Sequence, residues 1–188
     1  MSAIRPFRKA RQDREEKNVI ANQVWDIFVP LAEFPHIAHD ASIREAFAVL
    51  HNKHQTAGWR FRHLLVFDTQ TLVGTLSIRD LLRALMPDYL KSTAAQHVAG
   101  ALPDDAALSI LWQDSFVAQC RLVNEVRVES QMVPVQDTVQ ASDPLTRAAY
   151  LMISNGVDML PVLDGTKVIG VVRIVDIFNQ AAAVVLHD

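Results

Sequence analysis

Cysteine is almost missing from this chain of 188 residues, which contains Cys120 alone. A single cysteine excludes an intramolecular disulfide and is typical of proteins from a reducing compartment. No apolar run approaches the roughly 20 residues that a membrane helix needs. The basic N-terminus has no apolar stretch behind it that would form a secretory signal. We therefore expect a cytoplasmic protein without membrane association.

The signatures of common metal and catalytic sites are missing too. Two pairs of histidines spaced i, i+3 occur between residues 36 and 54, but no cysteine pair, HExxH motif or acidic loop joins them. Ser77 does not lie in a Gly-x-Ser-x-Gly turn. Gly165-Thr166-Lys167 lacks the upstream glycine of a phosphate-binding loop. We expect no enzyme activity, no metal and no required cofactor.

Charge is scarce and unevenly placed. Half of the residues are hydrophobic and 21% are charged, which is a globular composition. The net charge is −3, yet the leader over residues 1–18 carries six Lys or Arg against three Asp or Glu, a net +3. A basic arm can bind nucleic acid or an acidic partner, although a solvated terminus is the commoner case. A nucleic-acid-linked regulator is an alternative that rests on this leader alone.

What the sequence has instead is a repeat with an interval of 96 residues. Three pairs of identical residues keep this interval without a gap: Asp68 and Asp164, Gly74 and Gly170, Asp80 and Asp176. A duplicated unit of this size indicates that the two copies bury their apolar faces together. Ligand sensing is therefore a hypothesis before any catalytic motif is considered.

Each copy is predicted to run strand, helix, strand, strand, helix. Helix-start signals follow the first short strand in both copies, and Asp-Gly marks a tight hairpin in the second. The predicted elements are short strands at 35–38 and 138–141, helices after Ser42 and after Ser142-Asp143-Pro144, hairpins at 68–71 and 164–167, and final helices at 78–85 and 174–184. We expect Asn155-Gly156 to end the second copy's first helix, and the equivalent helix of the first copy to run to Arg62.

The predicted organisation has four parts: a leader at 1–23, a first repeat at 24–85, a helical connector at 86–122 and a second repeat at 123–188. Pro103-Asp104-Asp105 predicts the start of a helix that runs to about Glu129. That helix is too apolar to stand alone in water, so we expect it to pack in the core or at an interface.

The repeated pattern resembles the cystathionine beta-synthase (CBS) domain. In each copy an apolar strand ends in Asp, a hairpin follows, and then a strand with Gly-x-x-Ser-x-x-Asp or a close variant leads into a helix. The resemblance covers residues 24–85 and 126–184. It implies an α+β fold in which two β-α-β-β-α repeats pack as a pseudo-twofold pair. It also implies that an adenosine-containing nucleotide binds between the repeats and that the chain associates as a homodimer. The resemblance does not identify the protein partner.

The resemblance assigns ribose binding to Ser77 and Asp80 in the first copy. The chemistry is reasonable, because a helix start exposes backbone amides and a carboxylate can accept two hydroxyls. In the second copy Asp176 is kept, but Arg173 replaces the hydroxyl residue. Either Arg173 pairs with Asp176 and blocks this site, or it contributes charge to a phosphate. We favour one competent site, in the first copy.

Further candidates surround the first motif. Arg62, His63 and Arg79 could meet phosphates, and Ile37 and Leu65 could contact a base, although core packing is the commoner role for the last two. The leading hypothesis is a regulatory module that binds an adenine nucleotide and signals to a partner protein. The alternative is a structural or dimerisation module with empty clefts, which Arg173 and the leucine at position 65, where the second copy has proline, would both suit.

Overall fold

The computed structural model describes residues 21–57, 61–87 and 113–186. Residues 1–20 of the leader and residues 88–112 of the predicted connector lie outside these ranges, and the predictions made for them stay predictions. The strands are β1 (Val29–Pro30), β2 (His36–Ala38), β3 (His63–Asp68), β4 (Thr71–Ser77), β5 (Val133–Pro134), β6 (Val139–Gln140), β7 (Met159–Asp164) and β8 (Lys167–Arg173). The α-helices are α1 (Ile43–Ala57), α2 (Ile78–Leu85), α3 (Phe116–Leu122), α4 (Leu145–Asn155) and α5 (Ile174–Val185).

The β-α-β-β-α order predicted for each copy is confirmed. The first copy runs β2-α1-β3-β4-α2 and the second runs β6-α4-β7-β8-α5. Each copy contributes one parallel pair and one antiparallel hairpin, with a register shift at the same place in both hairpins. The fold is therefore mixed α+β with two four-stranded sheets.

The described residues form two compact units. Residues 35–57, 61–87 and 113–135 make the first-repeat unit, with strand order β2-β3-β4-β5. Residues 21–34 and 136–186 make the second-repeat unit, with strand order β1-β8-β7-β6. The edge strand β1 precedes the first copy in the sequence but pairs with β8 of the second copy. In the same way β5 precedes the second copy but pairs with β4 of the first copy.

The repeated glycine of each copy lies where this edge strand crosses. Gly170 pairs with Pro30 in the second-repeat unit, and Gly74 pairs with Pro134 in the first-repeat unit. A Cβ on Gly170 would lie 2.2 Å from the Val29 carbonyl oxygen. The duplicated glycine is therefore explained by close backbone approach.

Each unit has its own hydrophobic core between sheet and helices. In the first-repeat unit Ile43, Ala46 and Leu50 present the buried face of α1, as the periodicity predicts. In the second-repeat unit Leu145 and Ala148 do the same for α4. No helix within the described ranges is long and apolar enough to cross a membrane.

Local signals set the ends of several elements as expected. The hairpins turn at Thr69 and Gly165, which have φ values of 55° and 63°. Gly156 ends α4 with φ 64°, a left-handed conformation that glycine adopts without a side-chain clash. The helix predicted to start at residue 78 does so, with Ser77 as its N-cap.

Two helix predictions are wrong. The helix α1 ends at Ala57, and Phe61 and Arg62 are not helical. Phe61 is buried instead, its carbonyl 2.5 Å from His54 Nε2 and its ring 5.2 Å from Lys53 Nζ. Phe61 therefore packs against the end of α1 instead of continuing the helix.

The helix predicted to reach Glu129 also breaks. Between residues 113 and 130 the described part consists of a 3-10 turn at Gln113–Ser115, α3, and separate 3-10 turns at Val123–Glu125 and Val128–Ser130. Val126 is extended, and its carbonyl accepts the Ile43 N–H at 2.8 Å. A continuous helix would direct that carbonyl along its own axis, so the contact with the start of α1 requires the break.

Candidate functional site

The first-copy motif is a capping box at the start of α2. Ser77 is extended, and its Oγ accepts the Asp80 N–H at 3.1 Å. In return Asp80 Oδ2 accepts the Ser77 N–H at 2.9 Å and the Ser77 hydroxyl at 2.6 Å. This reciprocal arrangement satisfies donors that a helix start leaves exposed. Ser77 and Asp80 therefore have a structural role in addition to any role in binding.

Asp80 is a carboxylate held in a mostly buried place, with 8% of the residue exposed. Its other oxygen, Oδ1, is not part of the capping box and lies 3.7 Å from Arg83 Nη1. The two hydrogen bonds that Oδ2 accepts from Ser77 fix the plane of the carboxylate and with it the direction of Oδ1. An ordered carboxylate oxygen can accept a hydrogen bond from a ligand hydroxyl.

In the second-copy motif the arginine binds the motif carboxylate. Arg173 has the same extended backbone as Ser77 but makes no side-chain cap. Its Nε donates to Asp176 Oδ2 at 2.6 Å and its Nη2 donates to Asp176 Oδ1 at 2.5 Å. The two side chains are only 12% and 11% exposed. The Arg173–Asp176 pair considered from the sequence is confirmed, and it engages both oxygens of the carboxylate.

Strand register brings other predicted residues to the first-copy motif. His63 pairs with Ser77 across the β3-β4 hairpin, and the Arg62 carbonyl accepts the Ile78 N–H at 2.9 Å. Arg62 is exposed, His63 is partly buried, and Arg79 is exposed on the first turn of α2. The structure thus places these three candidates at the same end of the sheet as Ser77.

The two apolar candidates are core residues. Ile37 is 8% exposed and belongs to the hydrophobic cluster of the first-repeat unit. Leu65 is fully buried. Their burial agrees with core packing, the commoner role for such residues in a strand.

The sequence reasoning missed a pocket of about 240 Å³ in the second-repeat unit. It lies at the hairpin end of the sheet, whereas Arg173 pairs with Met159 at the opposite end of β7. Its lining includes Gln23, Trp25, Gln140, Ala141, Ser142 and Asp164. The sequence does contain one related signal: Val24-x-x-x-Phe28-x-Pro30 matches Val128-x-x-x-Met132-x-Pro134 at an offset of 104 residues, which aligns Trp25 with Glu129.

The described residues contain no cluster of three or more His, Cys, Asp or Glu side chains that could hold a metal ion. Cys120 lies in α3, partly buried beside the core of the first-repeat unit.

Comparison with known proteins identifies the family. The model of the CBS domain matches residues 24–87 and 127–182. The chain belongs to the CBS domain family. Its two CBS repeats form a tandem pair, as the sequence indicated. A comparison with curated proteins found no match.

Solved structures share the fold of the CBS pair. CBSX2 from Arabidopsis thaliana has a TM-score of 0.60 and 21% identity, over 88% of this chain and 98% of that chain. CBSX2 in complex with AMP gives 0.58 and 23%, over 86% and 97%. The cytosolic domain of the Mg²⁺ channel MgtE in complex with ATP gives 0.55 and 18%, over 89% of this chain and 54% of that chain.

Proposed function

We propose that this CBS pair is a regulatory module that binds an adenosine-containing nucleotide at its first-copy motif and signals to a partner protein. The observation that carries the proposal is the difference between the two motif carboxylates. Asp80 keeps one oxygen outside its capping box, whereas both oxygens of Asp176 are bound by Arg173. The first copy can therefore accept ribose hydroxyls, and the second is closed.

Two structural neighbours support the choice of ligand. CBSX2 is described with AMP and the cytosolic domain of MgtE with ATP. An adenine nucleotide presents ribose hydroxyls as donors and phosphates as anions. Asp80 suits the first, and the exposed Arg62 and Arg79, with His63, suit the second. The module has no catalytic role in this proposal, and its low cysteine content favours the cytoplasm.

The test is a binding panel of AMP, ADP, ATP, S-adenosylmethionine and NAD, measured by calorimetry on the full chain. We expect one nucleotide site per chain. In Asp80→Ala the affinity for the bound nucleotide should fall about ten- to a hundredfold, because ribose hydroxyls lose a charged acceptor. Ser77→Ala should cost less, since a neutral hydrogen bond contributes roughly 0.5–1.5 kcal/mol.

Asp80→Ala also removes a helix cap, so a matched control is needed. Ser42 and Glu45 form the same capping box at the start of α1, with Glu45 Oε2 2.8 Å from Ser42 N and 2.9 Å from its hydroxyl. Glu45→Ala should lower stability comparably and leave nucleotide affinity unchanged. If both variants weaken binding alike, the effect of Asp80 is structural. If Asp176→Ala abolishes binding and Asp80→Ala does not, the wrong copy has been chosen.

A second function, homodimerisation, is favoured by an exposed apolar face of the second-repeat unit. Tyr150 and Ile153 on α4 are 69% and 74% exposed, and Phe178 on the neighbouring α5 is 66% exposed. Contiguous exposed apolar side chains of this size mark interaction surfaces. We propose that a second copy covers this face. If no nucleotide binds and the dimer forms, the chain is a dimerisation module instead.

A further inference from the structure

The pocket of the second-repeat unit has a counterpart in the first-repeat unit, set by identical backbone hydrogen bonds. Ala141 and His39 occupy equivalent positions, each directly after the strand that opens its copy. In the second-repeat unit the Ala141 carbonyl accepts the Trp25 N–H at 2.8 Å, and the Ala141 N–H donates to the Leu163 carbonyl at 2.8 Å. In the first-repeat unit the His39 carbonyl accepts the Glu129 N–H at 2.9 Å, and the His39 N–H donates to the Phe67 carbonyl at 2.9 Å.

In the first-repeat unit a side chain of the protein fills this place. The imidazole of His39 lies between two carboxylates, with Nδ1 3.9 Å from Asp68 Oδ1 and Nε2 3.9 Å from Glu129 Oε2. This copy thus shows which group the surrounding backbone accommodates: a planar, nitrogen-containing ring beside two carboxylates.

In the second-repeat unit the imidazole is replaced by the methyl group of Ala141, and a pocket of about 240 Å³ lies there. One acidic neighbour is kept, because Asp164 stands where the first copy has Asp68. The other is replaced, because Trp25 stands where the first copy has Glu129. The residues that line the pocket therefore include one aspartate and one tryptophan.

The Trp25 side chain is held in place at the pocket. Its ring lies 5.4 Å from the ring of the buried Phe28, and Asp26 closes the turn by accepting the N–H groups of Asn22 and Gln23 at 3.1 and 3.2 Å. The residue is still 38% exposed. An indole face attracts cations, as a carboxylate does.

We propose that this pocket binds a compact organic cation of the imidazolium or guanidinium type, between Asp164 and Trp25. The ligand takes the place that the His39 imidazole fills in the other copy. The volume is below the roughly 300–1,000 Å³ of sites for drug-sized ligands, so the group is small. The site lies at the opposite end of the sheet from the Arg173 motif.

The test uses methylguanidinium chloride and its neutral isostere N-methylurea as probes of the full chain. The readout is the indole N–H resonance of Trp25, assigned with Trp25→Phe. We expect a saturable shift with a dissociation constant of about 1 mM for methylguanidinium and none for methylurea. N-acetylarginine amide presents the same cation as an arginine side chain in a polypeptide. Tighter binding of this probe than of methylguanidinium indicates that the cation comes from a polypeptide and not from a free metabolite.

Three variants decide the site. Asp164→Asn should lower the affinity for methylguanidinium about tenfold. Ala141→His should abolish binding, because the new imidazole would occupy the pocket. Asp68→Asn, the matched change in the first copy, should leave binding unchanged. Equal shifts with methylurea, or unchanged affinity in Asp164→Asn, would overturn the proposal. Because Asp164 is exposed on a hairpin, its variant carries the test even if Ala141→His fails to fold.

Discussion

Replacing Arg173 tests both the stability and the function assigned to the second-copy motif. In Arg173→Ala the Asp176 carboxylate, 11% exposed, loses two charged donors at 2.5 and 2.6 Å. Removal of one partner from a buried ion pair costs about 3–5 kcal/mol. Because some solvent reaches this carboxylate, we expect a loss near the lower limit, about 3 kcal/mol in the free energy of unfolding.

Arg173→Ser should be milder, because it recreates the first-copy motif. The backbone of Arg173, with φ −117° and ψ 151°, is close to that of Ser77, with φ −93° and ψ 166°. A serine here can form with Asp176 the capping box seen with Asp80. An N-cap contributes about 0.5–2 kcal/mol, so Arg173→Ser should be about 1–2 kcal/mol more stable than Arg173→Ala.

Urea denaturation measures the stability difference, and calorimetry measures the number of nucleotides bound. We expect the stoichiometry to rise from one per chain to two in Arg173→Ser, because the Asp176 oxygens become accessible to ribose. Equal midpoints for the serine and alanine variants would refute the capping argument. An unchanged stoichiometry in a folded Arg173→Ser would show that Arg173 is not what closes the second copy.

Three further predictions follow from other residues. In Gly170→Ala the new methyl group meets a backbone carbonyl at 2.2 Å, whereas in Gly74→Ala it meets a flexible methionine side chain at 2.7 Å. Urea denaturation should therefore show the larger loss in free energy of unfolding for Gly170→Ala, and equal losses would contradict this reasoning. The pKa of Glu45 is lowered from 4.5 because its carboxylate accepts hydrogen bonds from the backbone and hydroxyl of its N-cap serine. The stability that this carboxylate contributes is therefore present above pH 4.5 and lost as the pH falls through the lowered pKa. The Tm values of wild type and Glu45→Gln should therefore differ at pH 7 and converge once the pH is below that lowered pKa. Phe178→Asp should convert a dimer to a monomer in sedimentation, whereas Asn179→Asp should not; a wild-type monomer at tens of micromolar would argue against the dimer.

Much of the fold is contained in local sequence signals. The hairpins, the helix that starts at Ile78 and the left-handed end of α4 at Gly156 all lie where the sequence predicted them. Each depends on residues close in the chain, such as a turn dipeptide or a capping side chain. The Arg173–Asp176 pair was also foreseeable, because residues three apart at a helix start face each other.

The errors fall where packing and hydrogen bonding outside the helix decide the conformation. The break at Val126 depends on a hydrogen bond to Ile43, more than 80 residues earlier. The early end of α1 depends on the packing of Phe61. Helical periodicity continues through both places, so a local reading extends the helix.

The sequence by itself determined that the chain is a duplicated α+β unit, which hairpins and helices each copy contains, and that its two motif carboxylates have different neighbours. Only the tertiary structure decided that each sheet takes its edge strand from the segment before the other copy, since strands of two residues carry too little pattern to choose a partner. The structure also revealed that Ala141 and His39 are equivalent. The residues around them come from three separate segments in each unit, and only backbone pairing brings them together.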